Sequence, residues 1–97
     1  MILTDLITLN GNKMTSKEVL HRYLARKLSL PEYYGNNLDA LHDCLTELSE
    51  ELHLDVIHTD RLLHCLDAYG EAFLEVLSDS AEENPHLTVS FFSGNKE

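Results

Sequence analysis

The chain has no tryptophan, only two prolines, two cysteines and four glycines, and seven lysines and arginines against seventeen aspartates and glutamates. Each scarcity excludes something. With so little glycine and proline, neither a collagen-like nor a low-complexity chain fits. Two cysteines, Cys44 and Cys65, are too few to staple a disulfide scaffold. Met1 to Asp5 shows no basic segment leading into an apolar run, so no secretory signal is expected. Both thiols are therefore expected to be free and the compartment to be the cytoplasm. No stretch is long and apolar enough to span a membrane. The shortage of cations leaves a formal net charge of -10. A phosphate-binding protein needs a basic face, so nucleic acid is not an expected partner, and an anionic membrane surface fits no better. A basic protein is the natural complement, drawn in by long-range attraction.

What is present suits one globular domain over residues 1–97, with 43 % hydrophobic residues and a free monomer as the expected state. The charge is uneven. Lys13, Lys17, Arg22, Arg26 and Lys27 all fall in the first third. Leu28 to Asp60 holds no Lys or Arg, but carries Glu32, Asp39, Asp43, Glu47, Glu50, Glu51, Asp55 and Asp60.

Ile2 to Leu9 reads as a strand closed by the turn Asn10-Gly11-Asn12. Thr15-Ser16-Lys17-Glu18 fits a capping box with Thr15 as N-cap, opening a helix to about Leu28. Pro31 and Gly35 mark a loop, with Gly35 free to take a positive φ. Asn37 is a good N-cap for a second helix over about Leu38 to Leu52. His53 to His58 alternates as a short strand. Thr59 or Asp60 caps a third helix ending near Ala68, and Tyr69-Gly70 breaks it. A fourth helix over about Glu71 to Glu83 stops at Asn84-Pro85. Leu87 to Phe92 is the last strand, followed by a polar tail. The order β-α-α-β-α-α-β predicts an α/β fold: one small three-stranded parallel sheet with four helices packed against it.

In the second helix, Leu38, Leu41, Leu45, Leu48 and Leu52 make one seam at spacings of three and four. At about 100° per residue, Asp39, Asp43, Glu47 and Glu50 gather on the opposite side. Like charges four apart destabilise a helix, and no cation relieves them here. The helix dipole accounts for Asp39 in the first turn but not for the acids further on. A local cost without local compensation suggests a binding role. Tyr33 and Tyr34 precede this helix, and one of them is expected on the surface as an interface anchor. His42 lies between the acidic and apolar sides, and Cys44 flanks the seam.

The run Leu30-Pro31-Glu32-Tyr33-Tyr34-Gly35-Asn36-Asn37-Leu38-Asp39-Ala40-Leu41-His42-Asp43-Cys44-Leu45 resembles the signature of the barstar family, intracellular inhibitors of barnase-type ribonucleases. The match is sharp over about one sixth of the chain; the flanking elements agree more loosely. The resemblance implies three parallel strands with helices stacked on them. It also implies inhibition of a basic, extracellular, guanine-preferring ribonuclease, whose active site the loop and second helix plug. By position, Asp43 matches the aspartate that enters the phosphate pocket. Asp39 matches a second interface acid, and Tyr33 a tyrosine that packs on the catalytic histidine. Gly35 and Asn37 match residues that shape the binding loop, and Asp79 is the nearest match to an acid of the fourth helix. A carboxylate accepts paired hydrogen bonds from guanidinium groups and so imitates phosphate. At His42 the chain departs from the pattern, since the best-known member has tryptophan there. Histidine buries less area and, when protonated, offsets Asp43, which points to a different partner or to weaker binding of barnase itself.

Two other readings compete. Asp39 and Asp43 could hold Mg²⁺ or act as an acid–base pair, but no nucleophile or phosphate-binding glycine loop accompanies them. His58 and His64 match no common zinc spacing and no Cys-x-x-Cys exists, so neither metal nor cofactor is expected and enzyme activity is not. The stronger rival is an immunity protein or regulator that uses the same acidic face on a different basic partner.

Overall fold

In a computed structural model the fold is described for residues 5–95. The order is β1 (Asp5–Asn10), a 3₁₀ turn (Gly11–Lys13), α1 (Lys17–Lys27), α2 (Leu38–Thr46), β2 (Leu52–Ile57), α3 (Thr59–Leu66), α4 (Ala68–Glu83) and β3 (Leu87–Phe91). The three strands form one parallel sheet in the order β1-β2-β3. This is the α/β arrangement expected from the alternation of elements. Residues 2–4 of the strand expected at Ile2 to Leu9 lie outside the described residues.

Register places Leu54 between Ile7 and Val89, and Leu9 beside Val56. Because side chains alternate along a strand, these residues share one face with Leu52 and Leu87. That face meets the core: Leu9, Leu54 and Val56 are fully buried, together with Leu20, Leu24, Leu41, Leu62, Phe73 and Leu77 from the helices. Asp55 and Ile57 fall on the opposite face. Asp55 is buried on the middle strand, with His53 Nε2 at 2.8 Å.

Several boundaries differ from the sequence expectation, each for a local reason. Ser16, not Thr15, caps α1: its Oγ accepts from the Val19 backbone N–H at 3.2 Å. The break between α3 and α4 falls at Asp67, with φ of 50°, not at Tyr69-Gly70. Gly70 lies inside α4, where a Cβ would stand 3.3 Å from Leu63 and Leu66; its small size lets the two helices close together. α3 is capped by His58 in the left-handed region rather than by Thr59 or Asp60. The His58 N–H donates to Gly94 O at 2.8 Å, and the Thr59 N–H donates to Phe92 O at 3.1 Å. A Cβ on Gly11 would come within 2.1 Å of the His58 carbonyl oxygen, so this crossing admits only glycine.

Candidate functional site

The loop before α2 is anchored from below. Tyr34 is buried, and its hydroxyl lies 2.6 Å from His21 Nδ1, while His21 Nε2 lies 2.7 Å from the Tyr69 hydroxyl. One neutral imidazole thus joins α1, the loop and the start of α4, with one ring nitrogen donating and the other accepting. Burial holds the His21 pKa below its ordinary value, which keeps the ring neutral. Burial also raises the Tyr34 hydroxyl, with the Cys44 and Tyr69 groups adding to the effect. Tyr33, the neighbour of this anchor, is 87 % exposed. The paired tyrosines therefore divide as the sequence suggested, one inward and one outward.

Asn37 caps α2: its Oδ1 accepts from the Ala40 N–H at 2.7 Å and its Nδ2 donates to Gly35 O at 3.2 Å. Gly35 does not adopt a positive φ; Asn36 does, at 55°. A Cβ on Gly35 would lie 3.1 Å from Asn37 Nδ2, so the glycine makes room for the capping side chain.

α2 is shorter than its leucine spacing implied, ending at Thr46 instead of Leu52. Leu48 follows the helix, and Leu52 opens β2. The cause lies far away in sequence: Asn84, buried at the end of α4, donates from Nδ2 to Leu45 O at 2.9 Å and Leu48 O at 3.0 Å. Thr46 Oγ1 also donates to His42 O. The Asn84 amide thus satisfies carbonyls that another helical turn would otherwise have satisfied. Asp43 consequently stands in the last turn, which itself holds no basic residue. The negative end of the helix dipole makes that placement unfavourable.

Asp43 is 76 % exposed. With Glu47, Tyr33, Tyr34, Gly35, Ala40 and Cys44 it borders a cleft of about 330 Å³. Glu47 thus keeps its place beside Asp43 although it lies past the helix, whereas Glu50 borders a different hollow beside Leu45 and Leu48. Asp39 is exposed in the first turn of α2.

His42 is where α2 meets α4. Its Nε2 donates to Glu83 Oε2 at 2.6 Å, and its Nδ1 is 4.0 Å from Asp43 Oδ1. The Glu83 hydrogen bond, aided by the charges of Glu83, Asp43 and Asp79, holds the His42 pKa above its ordinary value despite partial desolvation. Asp79 therefore belongs to the electrostatic surroundings of His42. Glu83 was missed. It follows Asp79 by one helical turn, and that spacing was the available signal. Tyr33, Gly35, Asn37, Asp39, His42, Asp43, Asp79 and Glu83 thus occur on the loop, α2 and the end of α4. Among the described residues, no group of three or more His, Cys, Asp or Glu side chains could hold a metal ion.

The fold and this surface define a small α/β protein with an acidic face over the loop, α2 and the end of α4. Residues 4–93 match the family model described as Barstar (barnase inhibitor). The chain is also 40 % identical over 78 residues to "Putative ribonuclease inhibitor YrdF" of Bacillus subtilis (strain 168), covering 79 % of this chain and 86 % of that protein. The chain belongs to the barstar family.

Proposed function

We propose that this protein inhibits a basic, guanine-preferring ribonuclease of the barnase type by presenting carboxylates where RNA phosphates would lie. Family membership and the name of the Bacillus relative support ribonuclease inhibition. The observation that carries the finer reading is Asp43: an exposed carboxylate in the last turn of a helix, bordering the cleft beside Tyr33. Its placement does nothing for the helix and leaves its oxygens open to a guanidinium fork. Asp39, Asp79 and Glu83 surround it with like charge, which accelerates the approach of a basic enzyme. Tyr33 supplies an apolar surface with a polar tip, suited to packing on an active-site side chain. His42, tied to Glu83, stands where tryptophan is found in the best-known member of the family. In this reading it adapts the face to its own nuclease. The protein acts by occlusion and needs no cofactor, and its expected place is the cytoplasm.

The test is inhibition of a barnase-type ribonuclease by the parent and by Asp43→Ala, measured together. Inhibition that the substitution abolishes supports both target and mechanism. Equal inhibition by the two proteins removes Asp43 from the mechanism. No inhibition by either favours the same face acting on another basic partner, with His42 as its selector.

A further inference from the structure

Four of the cations in the Lys13 to Lys27 segment border two adjoining clefts on α1. The larger, about 580 Å³, is bounded by Lys17, Glu18, His21, Arg22, Asn36 and Tyr69. That volume is in the range of small-molecule sites. Its floor is fixed and neutral, because both His21 nitrogens are engaged by Tyr34 and Tyr69. Lys17 Nζ stands 4.7 Å from the centre of the Tyr69 ring. Arg22 is shared with the smaller cleft, which Lys13 and Arg26 also line.

The chain has seventeen carboxylates, yet neither Lys17 nor Arg22 makes an ion pair with a described one. Glu18 precedes Arg22 by one helical turn, a favourable spacing for a pair, and still leaves the guanidinium unengaged. Two cations without an ion pair therefore face a hollow whose other polar side chains are one carboxylate, one amide, one phenol and the engaged His21 imidazole.

We propose that this cleft binds a small phosphate ester of nucleotide size. Lys17 supplies a point charge and Arg22 a planar fork, a combination matched to a phosphate dianion. Asn36 offers a donor and an acceptor to the body of the ligand. Glu18 can only accept when ionised, so it favours a ligand carrying an N–H or O–H group and disfavours a second phosphate beside it. The negative charge of the whole chain selects against a long polyanion, whereas a compact anion meets its counter-charges locally.

The experiment is titration of the full chain with adenosine monophosphate and, separately, inorganic pyrophosphate at low ionic strength. Heat and the ring resonances of His21 and Tyr69 are followed. Saturable one-to-one binding of adenosine monophosphate is expected, weakened about tenfold or more by Lys17→Ala and by Arg22→Ala. Lys27→Ala, which removes an α1 cation outside both clefts, leaves it unchanged. Both cleft cations are exposed, so the variants fold, as thermal unfolding would verify. Absence of saturable adenosine monophosphate binding overturns the proposal, as does binding indifferent to Lys17 and Arg22. Binding of pyrophosphate alone also overturns the assignment to a nucleotide-sized ester. If only oligonucleotides bind, and Lys13→Ala and Arg26→Ala weaken them equally, α1 is a polyanion surface and the small-ligand proposal is wrong.

Discussion

The outer side of α1 and the face made by the loop, α2 and α4 carry opposite charge, and neither neutralises the other. Asp39, Asp43, Asp79 and Glu83 occur on one with His42 as the sole potential cation. Lys13, Lys17, Arg22 and Arg26 border the clefts on the other, with Glu18 as the sole carboxylate. All four ion pairs among the described residues involve histidine rather than lysine or arginine. An exposed ion pair contributes only about 0–1 kcal/mol, so keeping the charges apart costs the fold little. Separation leaves each face a field of one sign, able to choose a partner of the other. The two regions are joined instead by the neutral, buried His21, which links α1 to the loop through Tyr34.

The largest expected effect that separates the faces is on partner affinity. Asp43→Ala should weaken the ribonuclease complex by at least about 2 kcal/mol, the level of an interface hot spot, while changing folding stability by no more than about 0.5 kcal/mol. Competition binding and urea unfolding of the same variant check the two halves. Next comes the link between the regions. Tyr34→Phe removes a partner of buried His21 and should cost about 1–3 kcal/mol of stability, whereas Tyr33→Phe should stay within about 0.5 kcal/mol. Equal losses in the two variants would dissolve the distinction between anchor and surface tyrosine.

The histidines sharpen the contrast through pH. His21 has a lowered pKa, so above about 6.5 it is neutral in both states and has no effect on stability. As pH falls below that value the unfolded chain takes up the proton first, and stability declines until the folded value is passed. His42 has a raised pKa, so its contribution is complete below about 6.5 and disappears as pH rises through the folded value. Proton NMR titration should find His21 below and His42 above the ordinary value, and Glu83→Gln should bring His42 down. The smallest effect is expected from Lys17→Ala with Arg22→Ala. Ribonuclease inhibition should remain within about twofold of the parent, since the face proposed for inhibition is the acidic one. A large loss would show that the two faces serve one partner.

Much of this was legible in the chain itself. The alternation of strand and helix signals, the Asn37 cap and the split between Leu41, Leu45 and Asp39, Asp43 follow from local chemistry and helical spacing. The resemblance over Leu30 to Leu45 pointed to the same surface and to the family. The length of α2 was not legible, because the carbonyls at its end are taken by Asn84, about forty residues away in the chain. Gly70 read as a breaker because glycine is weak in helices, and only the closeness of α3 shows why it is inside one. Glu83 had no visible partner until α4 was laid against α2 and His42 came within hydrogen-bond distance. The sequence by itself determined what depends on neighbours a few residues apart: elements, caps, charge and the acidic stripe. The tertiary structure decided which tyrosine turns inward, where α2 stops and which cations remain unpaired, because each depends on groups that only folding brings together.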